Sequence, residues 1–200
     1  MKHVTVICFR HGGTHLIFPF IQQMSTLPIV EAGKLHELAH TPDGPVVVIW
    51  RDPRNRIVST YRWNLKRRPD RVKRWGATDD ERLAALISKP DMPNLPRMKE
   101  AQGVSYTVAM RKFVGHWMKY GATTTFEALT DPHRSSMAAE TVAEAVGYWG
   151  DAKRALENVM GKSHTYTGKF SDWRKWFGPK SIEAWEREGG PELCRMMGYE

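Results

Sequence analysis

Two short runs constrain this chain most: "HVTVICF" at His3–Phe9 and "VVVIW" at Val46–Trp50. Both are apolar and rich in β-branched residues; the first leads through "RHGGTH" and the second runs straight into a segment with helical periodicity. Strands that lack polar alternation are buried on both faces, which is the condition of a parallel sheet covered by helices. After Trp50 the sequence reads "RDPRNRIVSTYRW", where Asp52 is a helix N-cap and Pro53 a first-turn proline. An arginine, Arg51, stands at that junction, and a serine, Ser59, follows about two turns into the helix.

The rest of the chain repeats the alternation. A helix is expected from Thr14 to Met24, an extended stretch over Ile29–Leu38, and a turn at "TPDG". Further helices are expected near Asp79–Ile87 and over Tyr106–Tyr120, and "ATTTFEAL" (122–129) reads as a strand. "DPHRSSMAAETVAEAVG" reads as a helix with a proline start and a glycine stop. Another helix runs to about Met160, and two short ones close the chain. The expected fold is α/β, a single domain over residues 1–200 with a parallel sheet flanked by helices. Residues 66–104, basic and then proline-rich, read as an inserted lid or loop region, with no core pattern.

With 41% hydrophobic residues in 200, the chain can bury a sizeable core. The apolar runs are strand-length, so no transmembrane segment and no signal peptide is expected. Two cysteines, Cys8 and Cys194, make no disulfide framework and point to a reducing, cytoplasmic setting. The net charge is +8, with a dense basic stretch from Arg51 to Arg74, which favours anionic partners.

In "FRHGGTHL" the glycines Gly12 and Gly13 allow close backbone approach, and Thr14 and His15 add side-chain donors. A glycine loop between the first strand and helix offers N–H groups to an anion. It lacks the Lys-Ser/Thr pair of nucleotide triphosphatases, and Arg51 stands where a magnesium-binding aspartate would end the later strand. His, Cys and acidic residues show no zinc-like spacing, so no metal is expected.

Together, this loop and R-D-P-R-x-R-x-x-S-x-Y after a later strand resemble the PAPS-dependent sulfotransferases, which use 3′-phosphoadenosine 5′-phosphosulfate. "TFEALTDP" resembles that family's strand ending in an acidic residue and followed by a helix at Asp-Pro. "TGKFSDWRKWF" resembles its late loop over the cofactor. The resemblance implies the sulfotransferase variant of the P-loop NTPase-like fold. It gives the 5′-phosphosulfate to Arg10, His11, Gly12, Gly13, Thr14 and His15, and the 3′-phosphate to Arg51 and Ser59. Thr167, Gly168 and Lys169 fall in the late loop.

The chain departs from the family at His11, where a lysine or arginine is usual. Either Arg10 or His11 then meets the sulfate. Leu16 replaces a tryptophan after the loop, Tyr166-Thr167 stand where many members have Arg-Lys, and the short dimerisation motif of some cytosolic members is absent. The family often places a lysine-x-histidine pair ahead of the second core strand, and Lys34-Leu35-His36 occupies that place. In extended chain, period two puts Lys34 and His36 on one face, as cation on the bridging oxygen and as general base. His40, against the "TPDG" turn, is the rival base. The implied acceptor is a small molecule or glycan, without obligate nucleic acid. A basic nucleic-acid- or polyanion-binding module and a small-molecule kinase on a related fold are the competing readings.

Overall fold

The structure is a computed structural model, and it describes residues 2–8, 13–31, 42–88, 103–162 and 172–199. In chain order the elements begin with β1 (Val4–Cys8), α1 (Thr14–Met24), β2 (Ile29–Glu31), β3 (Val46–Trp50) and α2 (Pro53–Arg67). They continue with α3 (Pro69–Lys73), α4 (Asp79–Ser88), α5 (Tyr106–Trp117), β4 (Ala122–Thr125), α6 (Phe126–Thr130) and α7 (Ser135–Ala145). The chain closes with α8 (Ala152–Glu157), a 3₁₀ turn (Trp173–Lys175), α9 (Pro179–Arg187) and α10 (Gly190–Met196). Internal contacts divide it into two compact units: Met1–Arg51 with Trp117–Lys169, and Asp52–His116 with Phe170–Glu200.

The first unit holds the sheet. Its four strands are all parallel, in the order β2-β1-β3-β4, with Cys8 opposite Ile49 and Trp50 opposite Thr125. Every residue of β1 and β3 is buried, as their lack of polar alternation requires. Val4, Val6, Cys8, Val47 and Ile49 point into a core with Leu16, Ile17, Phe20 and Ile21 of α1 and Val142 and Leu156 of α7 and α8. Thr5, Ile7, Val48 and Trp50, on the opposite face by strand period, are buried too. The α/β parallel-sheet architecture read from the sequence is the one observed.

The segment "ATTTFEAL" is corrected. The strand ends at Thr125, whose hydroxyl accepts from the Ala128 N–H at 3.0 Å and so caps a helix over Phe126–Thr130. Asp-Pro does not open the next helix either: Asp131 accepts from the His133 N–H (2.8 Å) in a turn, and α7 begins at Ser135. Gly147, at φ 71°, does end that stretch in the left-handed conformation.

The second unit is helical. Here the absence of a core pattern in the basic region is also corrected, because Val72, Leu83, Leu86 and Ile87 are all buried. Helix α4 packs lengthwise on α9. The Asp80 carboxylate accepts from the backbone N–H groups of Gly178 (3.0 Å), Lys180 (3.0 Å) and Ser181 (2.9 Å) and from the Ser181 hydroxyl (2.6 Å). One side chain thereby occupies the amide donors at the start of α9.

Candidate functional site

In the order β2-β1-β3-β4 the chain reverses direction across the sheet between β1 and β3, and open parallel sheets bind ligands at the carboxyl ends of such strands. Both sequence motifs leave from that edge. Helix α1 follows β1, and Arg51 follows Trp50 at the end of β3.

Gly13 opens α1 with φ 120° and ψ 11°. A Cβ there would lie 2.9 Å from Phe126 Cδ2 and 3.1 Å from Ile49 Cδ1, so both backbone angle and space require glycine. Its carbonyl accepts from the Leu16 and Ile17 N–H groups at 2.9 and 3.0 Å, which starts the helix. Gly13 offers no side-chain cap to α1, and the first turn of the helix carries no acidic residue. The positive end of an 11-residue helix is thus directed past Thr14, which is half-buried, and His15, which is exposed.

Arg51 is half-buried, with its guanidinium carbon 5.2 Å from the centroid of the Phe126 ring. Phe126 therefore touches both motifs: its edge limits residue 13, and its face carries the arginine. The structure brings Gly13, Thr14 and Arg51 to one sheet edge around this ring. A helix start beside a guanidinium is a donor set suited to a phosphate or sulfate oxygen. Phe126 was missed in the sequence because "TFEAL" reads as strand. The signal that could have found it is Thr125 as an N-cap.

Ser59 lies in the second turn of α2, half-buried. Asp52, at the N-cap of that helix, is buried and holds Arg54 by three bonds: the backbone N–H (2.8 Å), Nε (3.0 Å) and a terminal nitrogen (2.8 Å). Burial pulls the Arg54 pKa down, but the hydrogen bond and charge of Asp52 outweigh it, and the net shift is upward. Arg56 is buried, its guanidinium carbon 4.9 Å from the Tyr106 ring centroid and one terminal nitrogen 2.6 Å from Met110 sulfur. These two members of the basic stretch are therefore internal groups rather than open cations. Lys66, Arg67, Arg68, Lys73 and Arg74 are exposed, as a solvated face requires.

Trp173, from the late motif, is half-buried, with the guanidinium carbon of Arg54 4.6 Å from its ring centroid. Its backbone N–H donates to Asn55 Oδ1 at 3.0 Å, and its ring meets Phe177 edge-on at 5.4 Å. Asn55 carried no signal in the sequence, since its partner lies 118 positions away. Arg10, His11, Gly12, Lys34, His36, His40, Thr167, Gly168 and Lys169 fall outside the described residues. Among the described residues, no three His, Cys, Asp or Glu side chains are grouped to hold a metal ion. None of the described helices is long and apolar enough to cross a membrane.

No protein-family model matches this sequence, and no curated protein matches it. Among solved structures, a mouse sulfotransferase, SULT7A1, complexed with PAP matches with a TM-score of 0.62 at 11% identity. The match covers 97% of this chain and 85% of that one. At that identity the likeness is one of fold: this chain has an α/β, sulfotransferase-like fold.

Proposed function

We propose that the chain is a PAPS-dependent sulfotransferase, which moves a sulfuryl group to a hydroxyl or amine of a small-molecule or glycan acceptor. One observation supports this most: Gly13 at the start of α1 and Arg51 at the end of β3 pack on the same Phe126 ring, at the point where strand order reverses. The fold match to a sulfotransferase complexed with PAP agrees with it. In this reading the first loop (Arg10 or His11, with Gly12, Gly13, Thr14 and His15) takes the 5′-phosphosulfate. Arg51 and Ser59 take the 3′-phosphate, with Thr167, Gly168 and Lys169 from the late loop.

His36 accepts the acceptor's proton as its oxygen or nitrogen bonds to sulfur. The bond from sulfur to the bridging oxygen breaks, its electron pair stays on that oxygen, and Lys34 offsets the charge. The segment 66–104 shapes the acceptor side. Cys8 and Cys194, both buried and not disulfide-bonded, are compatible with a cytoplasmic setting.

The test is a comparison of PAP, the desulfated product, with ADP, which lacks the 3′-phosphate. Charge-assisted hydrogen bonds are worth roughly 1.5–3 kcal/mol, so PAP should bind at least about tenfold more tightly, and Arg51→Ala should remove most of that preference. Calorimetry giving equal affinities for the two nucleotides would reject the reading.

A further inference from the structure

Residues 52–55 and 172–177 are far apart in sequence and locked together within the helical unit. The buried Asp52 carboxylate caps α2 through the Arg54 N–H and grips the Arg54 guanidinium at 3.0 and 2.8 Å. That guanidinium lies over the indole of Trp173 at 4.6 Å, and Arg174 lies over the same ring at 4.8 Å. Asn55, one residue on, holds the Trp173 backbone N–H at 3.0 Å. We propose that Asp52, Arg54, Asn55 and Trp173 form a positioning clamp for the cofactor's 3′-phosphate end, an inference that rests on the function proposed above.

Sequence adjacency gives the clamp its role. Asp52 is bonded to Arg51, and the helix it caps carries Ser59. The clamp thus fixes the chain directly after Arg51 and the start of the helix that carries Ser59.

Packing alone does not account for these residue types. A partly dehydrated Arg–Asp pair is a poor source of stability next to an apolar pair of the same volume. It does fix orientation: two guanidinium nitrogens on one carboxylate leave the planar group a single attitude, with its carbon 4.6 Å from the indole centroid. Trp173 itself is half-buried, and its ring carries the guanidinium groups of Arg54 and Arg174 as well as the edge contact to Phe177. The clamp residues touch neither cofactor nor acceptor in this account; they act through Arg51 and Ser59.

The experiment measures PAP and ADP affinities and thermal stability for the full chain and for W173L, W173F and R54Q. W173L and R54Q should weaken PAP about tenfold while ADP stays within about twofold, and W173F, which keeps a ring under Arg54, should retain most of the PAP affinity. If PAP and ADP affinities fall together with the melting temperature, the cluster is structural only and the proposal is overturned. Unchanged PAP affinity in W173L and R54Q overturns it as well. Should W173L not fold, R54Q, which leaves the apolar contacts in place, reads the same difference. Wild type with no preference for PAP over ADP rejects the functional reading, and the clamp with it.

Discussion

Residue 13 decides whether the first loop can meet the sheet edge at all. At φ 120° an alanine is strained, and its methyl would sit 2.9 Å from Phe126 Cδ2 and 3.1 Å from Ile49 Cδ1. Ile49 is fully buried and Phe126 nearly so, and a close-packed interior yields little to an added methyl. Strain of that kind costs roughly 1–3 kcal/mol and overpacking a similar amount, so Gly13→Ala should destabilise by about 2–6 kcal/mol. In a chain of 200 residues that is a fall of roughly 4–24 °C in melting temperature, read by calorimetry. Gly147→Ala is the comparison: its φ of 71° is also positive, in the left-handed region, but no atom lies within 4 Å of the added methyl. The loss there should be confined to backbone strain, about 1 kcal/mol.

The junction of α4 and α9 is where an element depends on two carboxylates. Burial raises the Asp80 pKa, but the bonds from Ser181, Lys180 and Gly178 outweigh it and hold the group below its ordinary value. Glu81 is lowered to about 2 by the Lys180 ammonium (2.7 Å) and by the N–H groups of Thr78 and Ala77. Both pKa values are lower folded than unfolded, so both groups stabilise the protein above about pH 4.5 and stop doing so as pH falls through the folded values. Asp80→Ala leaves three amide donors and a hydroxyl at the start of α9 without this acceptor, and should cost roughly 2 kcal/mol near neutral pH. The variant should also lose less stability than wild type between pH 5 and pH 2 in urea titrations, since its share of that loss is already gone. An equal acid dependence in the two proteins would contradict the assignment.

Legibility in the sequence followed the same line between local and distant causes. Val46–Trp50 and Thr14–Met24 were readable because apolar periodicity and local caps settle them within one segment. Phe126–Thr130 was not, since β-branched threonines ahead of it suggest strand while a single hydroxyl, that of Thr125, starts the helix. Leu83, Leu86 and Ile87 carry the helical spacing of a buried face, but surrounding charge and proline hid it, and their partner α9 lies about a hundred residues on. The site divided likewise: Gly13 and Arg51 stand out as motif residues, whereas Phe126 and Asn55 matter only through what the fold brings to them.

For the whole molecule, charge sets opposite signs on two measurable quantities. The net charge is +8, and from residue 62 to 76 only Asp70 is acidic among seven lysines and arginines. Several of these cations are exposed and lie within a few turns of one another, well inside the Debye length of about 30 Å at 0.01 M salt. Their repulsion is present in the folded state and relaxed when the chain expands, so added salt removes a destabilising term. The exposed pairs that salt also weakens, such as Lys73–Asp70 at 3.5 Å and Arg134–Asp131 at 3.3 Å, are solvated and worth little, and oppose this only in part. Raising sodium chloride from 10 to 300 mM should therefore raise the melting temperature by a few degrees, corresponding to roughly 1 kcal/mol. Under the proposed function, PAP binding should respond in the opposite direction. Its phosphates are met by Arg51 and the start of α1, interactions that salt screens, so affinity should fall several-fold over the same range while ADP, lacking the 3′-phosphate, falls less. Melting curves and PAP titrations at matched salt concentrations test both signs. A melting temperature that drops with salt would show that the ion pairs outweigh the basic surface, and a PAP affinity indifferent to salt would leave Arg51 without its phosphate.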